Sequence, residues 1–354
     1  MKSIVSSAIQ TEQKTEHSKI EEFDTPKIIV IGCGGAGCNA VNRLNKMNIK
    51  GADLVAINTD KQHLAIIGDE ITKVLIGKSV TRGLGAGGYP EIGAKAAEVS
   101  KNDLVQLLDG VDMLFISAGM GGGTGTGSAP IVAGIAKEQG AIVVSIVTYP
   151  FSLERSRLIS AEEGLKKLSE QSDTVVVIDN NRLVELVPNL PIQDAFKVAD
   201  EVIARTVRGI TETITQPSLI NLDFADIRSV MTGHGLSLIA VGESKSVNKV
   251  KDAVEDTLSN TLLDVDIAGA SGVLIHITGG PDLTLGEANE IGELLTQRID
   301  AKAQVIWGAR VDNSMGDKIE IIAIFTGVNS PYLTGKEPKR QITRNKDFDL
   351  KEVW

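Results

Sequence analysis

Cysteine is scarce: Cys33 and Cys38 are the only two in 354 residues, too few for a disulfide scaffold and in keeping with a reducing compartment. Aromatic residues make up 3% of the chain, which leaves little for base-stacking platforms on single-stranded nucleic acid. Basic residues number 36 against 46 acidic ones. The resulting charge of −10 opposes non-specific nucleic-acid binding, which depends on clustered Lys and Arg. No apolar run approaches the roughly 20 residues of a membrane-spanning helix. The opening residues, MKSIVSSAIQTEQKTEH, lack the apolar stretch of a secretory signal. The expectation is a soluble, cytoplasmic protein that binds no nucleic acid and does not insert into membranes.

Apolar residues, by contrast, reach 42%, enough for more than one core, and the length suits two domains or three. Residues 1–25 are polar and read as a flexible arm. From residue 26 to 191, short Val- and Ile-rich runs (27–31, 53–58, 73–77, 112–117, 141–147, 174–179) alternate with helical spacing at 40–47, 92–108, 129–138 and 161–171. Such alternation predicts a parallel sheet covered on both faces, with ligands beyond the carboxyl ends of its strands. A long helix is expected over 192–215, with Pro191 near its start and Pro217 beyond its end. Residues 216–328 read as a second α/β unit, with strands at 236–244, 272–279, 304–310 and 318–327 and helices near 247–262 and 284–298. A polar tail, 329–354, ends in DFDLKEVW.

Glycine carries the chemistry. The first strand runs into Gly32-Cys33-Gly34-Gly35-Ala36-Gly37-Cys38-Asn39, where Gly32, Gly34 and Gly37 satisfy G-x-G-x-x-G ahead of a helix. Backbone N–H groups there can approach phosphate oxygens at the positive end of the helix dipole. A dinucleotide-dependent dehydrogenase is a rival reading; it wants an acid about 20 positions on, and Asp60 comes somewhat late. A second loop separates the two. Between Gly119 and Gly127 six of nine residues are glycine, interleaved with Thr124 and Thr126, before a helix expected to open near Ala129-Pro130. So many glycines cost chain entropy, so the backbone must wrap something closely. A dehydrogenase has no use for this second loop, whereas a triphosphate must be held along its length. A third loop, Thr81 to Pro90, could cover the ligand's far end. No G-x-x-x-x-G-K-[ST] is present, so charge would be balanced by amides, dipoles and Mg²⁺ rather than a P-loop lysine.

The motif GGGTGTG at 121–127 resembles the glycine signature of the tubulin/FtsZ superfamily of cell-division and cytoskeletal GTPases. The likeness extends through GCGGAGCNAV (32–41), NTD (58–60), TRGLGAGG (81–88), PF-x-x-E (150–154), ADEV (199–202) and NLDFADI (221–227). Together these span about residues 27–330, and DNNRL (179–183) and VPNLPIQDAF (187–196) look archaeal. The resemblance implies an α/β fold in which a Rossmann-like parallel-sheet GTPase domain is joined by a long central helix to a smaller α/β domain. It implies GTP and GDP as ligands, with Mg²⁺ and room for K⁺. Phosphates would lie against Gly34, Gly35, Ala36, Gly37, Cys38, Asn39, Gly121, Gly122, Gly123, Thr124, Gly125, Thr126 and Gly127, with Ala86 and Gly87 at the γ-phosphate. Glu154 and an arginine, Arg157 or alternatively Arg155, would hold the ribose side. Asn180, Asn181 and Asp200 would meet guanine. Phe196, one turn before Asp200, packs on the base or in the core. Cys33 and Cys38 read as small buried residues rather than catalytic thiols.

Asp223 and Asp226 stand three apart at a predicted helix start. Acids in a first turn complement the helix dipole whatever else they do. In the family this segment, with Asn221, acts in trans on the nucleotide of the next subunit. The expected partners are therefore further copies of the chain in head-to-tail protofilaments, forming a ring at the mid-cell division site. Co-assembly with a paralogue and a membrane-tethering adaptor docked on the C-terminal tail are also expected. A tubulin-like role in cell shape or DNA segregation is the alternative within the family.

Overall fold

A computed structural model describes residues 26–215, 223–232, 235–259 and 267–328. The expected N-terminal arm, Pro217, Asn221 and the tail lie outside the described residues. Ten strands form one sheet in the order β3-β2-β1-β4-β5-β6-β7-β10-β8-β9. They are β1 (Ile28–Cys33), β2 (Asp53–Asn58), β3 (Thr72–Leu75), β4 (Met113–Gly119), β5 (Ile142–Tyr149), β6 (Thr174–Asp179), β7 (Gly235–Ser244), β8 (Gly272–Gly279), β9 (Gln304–Val311) and β10 (Ile319–Thr326). The helices are α1 (Gly34–Lys46), α2 (Lys61–Ala65), α3 (Lys78–Thr81), α4 (Pro90–Val99), α5 (Lys101–Leu107), α6 (Thr124–Glu138), α7 (Arg155–Gln171), α8 (Asn180–Leu186), α9 (Ile192–Thr215), α10 (Phe224–Met231), α11 (Lys249–Ser259) and α12 (Leu285–Thr296).

The first six strands are parallel, and burial on both faces explains why β1, β2, β4, β5 and β6 read as apolar runs, while β3 at the sheet edge is only partly buried. In β1, Ile29, Ile31 and Cys33 enter one core while Ile28 and Val30 enter the other. The two α/β units share this sheet. Residues 174–176 of β6 pair in parallel with 235–237 of β7, which covers an edge each unit would otherwise expose. Beyond β7 the sheet is mixed, because β10 runs antiparallel to both β7 and β8.

Of the boundaries that differ from the sequence expectation, two bear on packing around the glycine loops. The helical stretch 92–108 is broken at Ser100, whose Oγ accepts a bond from the Gly77 N–H. More consequentially, α6 opens at Thr124 rather than near Pro130, so half of the glycine motif is helical. Gly127 explains why. A Cβ there would sit 2.0 Å from the Pro90 carbonyl and 2.5 Å from the Ala94 N, so this glycine lets α4 pack against the first turn of α6.

The central helix α9 keeps its expected limits and buries Ala199, Ile203, Ala204, Val207 and Ile210 along one stripe. Its 24 residues span about 36 Å. Near its start Phe196 meets Phe151, just past the carboxyl end of β5. Near its end, Thr215 packs on Gly51, just ahead of the amino end of β2. The helix thus carries the chain from one pole of the sheet to the other. Ion pairs from Arg205 to Glu201, Glu243 and Glu320, and from Arg43 to Glu201, fasten it to β7, β10 and α1.

Candidate active site

The strand order reverses between β1 and β4, and a crevice beyond the carboxyl ends of such strands is where open α/β sheets bind ligands. Helices α1 and α6 both begin there, and neither has a side-chain cap or an acid in its first turn. The same chain caps α2 with Asp60, α8 with Asp179 and α12 with Thr284. Two adjacent helix ends left with free N–H groups and positive dipole ends form an anion cradle. The loops touch: Gly34 has φ +73°, and a Cβ on it would lie 2.7 Å from the Gly125 N. Gly35, Ala36 and Asn39 are exposed on this surface. Thr124 Oγ1 lies 2.6 Å from Thr59 Oγ1, and Thr126 Oγ1 is buried with no protein partner.

Both cysteines are buried, which disfavours the thiolate. Cys38 lies within α1 rather than in a loop, and its Sγ points to the carbonyls of Gly32 and Ile57. Burial pushes the Cys33 thiol up to about 12 and raises Cys38 further. Any contribution of Cys38 to a ligand comes through its backbone.

The third loop closes over the glycines. Ala86 is buried against Gly123, and Gly87, with φ +60°, is exposed beside it. Bonds from the Lys61 N–H to the Gly83 carbonyl and from the Gly85 N–H to the Thr59 carbonyl tie this loop to the turn after β2. His63, which sequence offered no reason to place, presents its Nε2 3.8 Å from where a Gly35 side chain would begin.

Past β5 and β6 lies a different chemistry. Arg157 pairs with Glu154 at 2.6 Å, and its backbone borders Gly121, so Arg157 is the arginine beside both the acid and the glycine loop. Phe196 is 41% exposed and meets Phe151 edge-on at 5.8 Å, which removes the core reading of this residue. One turn on, burial pushes the Asp200 carboxyl up to about 6, partly opposed by the Arg43 guanidinium. Asn180 is 8% exposed, and its Oδ1 has no partner. Asn181 is already engaged: its Oδ1 accepts from Ser152, and its Nδ2 donates to Asp179.

Asp223 and Asp226 lie elsewhere. They form a reciprocal capping box at the start of α10: Asp223 Oδ1 accepts the Asp226 N–H at 2.7 Å, and Asp226 Oδ2 accepts the Asp223 N–H at 3.4 Å. Both are exposed, and each keeps a second carboxylate oxygen outside the box. The end of α10 is fixed by Thr174 Oγ1 donating to the Met231 carbonyl and Gln304 Nε2 donating to Ser229 Oγ. Thr174 opens β6 and Gln304 opens β9, so α10 is anchored at the amino ends of the strands. The glycine loops sit at the carboxyl ends, about 25 Å away across a strand of eight residues.

Among the described residues no group of three or more His, Cys, Asp or Glu side chains could hold a metal ion. The cradle's donors are N–H groups and hydroxyls, so a divalent ion fits there only alongside phosphate oxygens and water, as Mg²⁺ prefers. No helix among the described residues is long and apolar enough to cross a membrane.

Two uncapped helix ends at a switch point define an α/β protein that holds a phosphorylated nucleotide. Residues 27–188 match the model of the Tubulin/FtsZ family GTPase domain, and residues 235–329 match that of the FtsZ family C-terminal domain. The chain belongs to the tubulin/FtsZ family and is a GTPase of its FtsZ branch. It is 58% identical over 346 residues to cell division protein FtsZ 2 of Methanocaldococcus jannaschii, across 96% of this chain and 90% of that protein. Against cell division protein FtsZ 2 of Halobacterium salinarum the identity is 53%, across 94% and 85%. The solved empty FtsZ dimer of M. jannaschii matches with a TM-score of 0.82 at 46% identity, covering 92% of both chains. A GTPγS-bound protofilament of CetZ2 from Haloferax volcanii, 23% identical with a TM-score of 0.73 over 86% and 93%, shares the fold. Family membership sets aside the dehydrogenase reading.

Proposed function

We propose that this chain polymerises head to tail into protofilaments that form the cytoplasmic ring at the mid-cell division site, and that it hydrolyses GTP between subunits. The observation that carries this reading is the separation of the cradle from the α10 acids by the full height of the sheet. One molecule cannot bring Asp223 and Asp226 to its own nucleotide; the next copy along a filament can. A heterologous interface of this kind builds open filaments rather than closed dimers.

In this reading the amino ends of α1 and α6, residues 34–39 and 121–127, hold the phosphates, and Ala86 and Gly87 sense the γ-phosphate. Glu154 accepts from ribose hydroxyls with Arg157 beside it. Asp200 accepts from guanine N1–H and the exocyclic amine, the unpartnered Asn180 Oδ1 takes another donor, and Phe196 lies on the base. Adenine would leave Asp200 unsatisfied, which favours guanine. The incoming subunit's Asp223 and Asp226, with Asn221, orient and polarise the attacking water. Mg²⁺ arriving on the triphosphate supplies charge neutralisation of the leaving phosphate. Hydrolysis then weakens the contact. A membrane-tethering adaptor docks on the tail, and paralogue co-assembly uses the same interface.

The test is a concentration series of GTP turnover with parallel sedimentation, run with and without Mg²⁺ and K⁺. Specific activity rises steeply above a threshold concentration at which sedimentable polymer appears. A flat dependence would mean that the monomer holds a complete site.

A further inference from the structure

The loop after β5 and the junction between β6 and α8 are joined by a continuous chain of hydrogen bonds. Asp179, the last residue of β6, is 7% exposed. Its Oδ1 accepts the Asn181 N–H at 2.8 Å, capping α8, and the Asn181 Nδ2 at 2.7 Å. The other end of that amide, Oδ1, accepts both the N–H and the Oγ–H of Ser152 at 3.0 Å. Because a carboxylate only accepts, Asp179 fixes which way the Asn181 amide faces. Ser152 sits between Phe151, whose ring meets Phe196, and Glu154, whose Oε1 accepts the Phe151 N–H at 3.2 Å.

We infer that Asp179 and Asn181 are positioning residues that latch the ribose-side loop to the guanine-side helices. Asn181 therefore acts through Ser152 rather than by touching the base. The inference deepens the proposed nucleotide site and rests on that reading. With the latch closed, Glu154, Phe151 and Asn180 are held at one spacing before the nucleoside arrives. With it open, binding must order the 150–154 loop, and affinity for the nucleoside falls. The phosphate cradle and the α10 acids are untouched, so turnover at saturation is unaffected.

Asn181→Ala breaks the link to Ser152 while sparing the Asp179 cap on the backbone. The expected result, measured on assembled full-length protein, is a KM for GTP raised about five- to tenfold, since the three side-chain bonds of Asn181 that are lost are largely replaced by water and their net worth is small. kcat should stay within about twofold, since no group at the reacting phosphate changes. GMP, followed by calorimetry, should lose affinity by the same factor as GTP. Ser152→Thr, which keeps the hydroxyl, should behave as wild type, and Ser152→Ala should give a smaller loss. An unchanged KM, a fall confined to kcat, or a loss for GTP without one for GMP overturns the latch. Wild-type protein that fails to bind GTP would instead overturn the nucleotide reading itself, so the two failures are distinct.

Discussion

Replacing Asp226 by asparagine separates two roles that alanine would confound. In the capping box each acid accepts the other's backbone N–H. Asp226→Ala or Asp223→Ala removes one of those bonds and costs about 1 kcal/mol of helix stability in addition to any effect on chemistry. Asparagine caps about as well as aspartate, so Asp226→Asn and Asp223→Asn keep α10 folded while removing a charge from the surface proposed to meet the neighbour's nucleotide. Turnover should fall by roughly 10²- to 10⁴-fold, the usual loss with a general base or an orienting carboxylate. GTP affinity should stay within a few-fold, because the cradle lies at the other pole. Mixing gives the sharper assay. Asp226→Asn has an intact cradle and Asp200→Ala has intact acids; in an equimolar random polymer about one contact in four unites the two, as a head-to-tail interface requires. Mixed protein should therefore recover up to about a quarter of wild-type turnover, well above the sum of the separate samples. A mixture no more active than its components, or a large loss of GTP binding in Asp226→Asn, would refute the division of the site between subunits.

Asp200 provides a pH signature. Its folded carboxyl titrates near 6, above its ordinary value of 3.8, so the folded state binds that proton more tightly and the residue's contribution to stability falls as pH rises between these values. Guanine donors need the charged form, so GDP affinity should drop by up to about tenfold per unit as pH falls below 6. Titrations from pH 5 to 7.5 should show this component in wild type and not in Asp200→Asn; parallel profiles would contradict it. Gly127→Ala tests packing. The added methyl meets the Pro90 carbonyl and Ala94 N, so the nucleotide-free protein should lose about 1–3 kcal/mol in denaturant unfolding. Unchanged stability would return Gly127 to a purely ligand-binding role.

Local chemistry made much of this protein legible without coordinates. Period and composition marked the ten strands of the described sheet, most plainly β1, β4, β5 and β6, which are buried on both faces, and α9 kept its limits because one apolar stripe runs along it. The glycine motifs announced the cradle because close backbone approach excludes side chains, a constraint written in the residue type itself. Tertiary structure decided what depends on distant partners. The merging of two units into one sheet rests on three residues each of β6 and β7, and nothing local marks that pairing. Gly125 and Gly127 read alike in sequence, yet Gly125 borders the Cys33 and Gly119 carbonyls beside the cradle while Gly127 serves α4. Phe196 could be placed in either core or cleft until Phe151 met it edge-on. That Ser152 and Asp179 hold both ends of the Asn181 amide is likewise not written in its local sequence. Above all, sequence names the acids and the glycines but not the distance between them. That distance is set by strand direction and by α9, which carries the chain to the far pole, and it is the ground for the proposal that the chemistry belongs to two molecules.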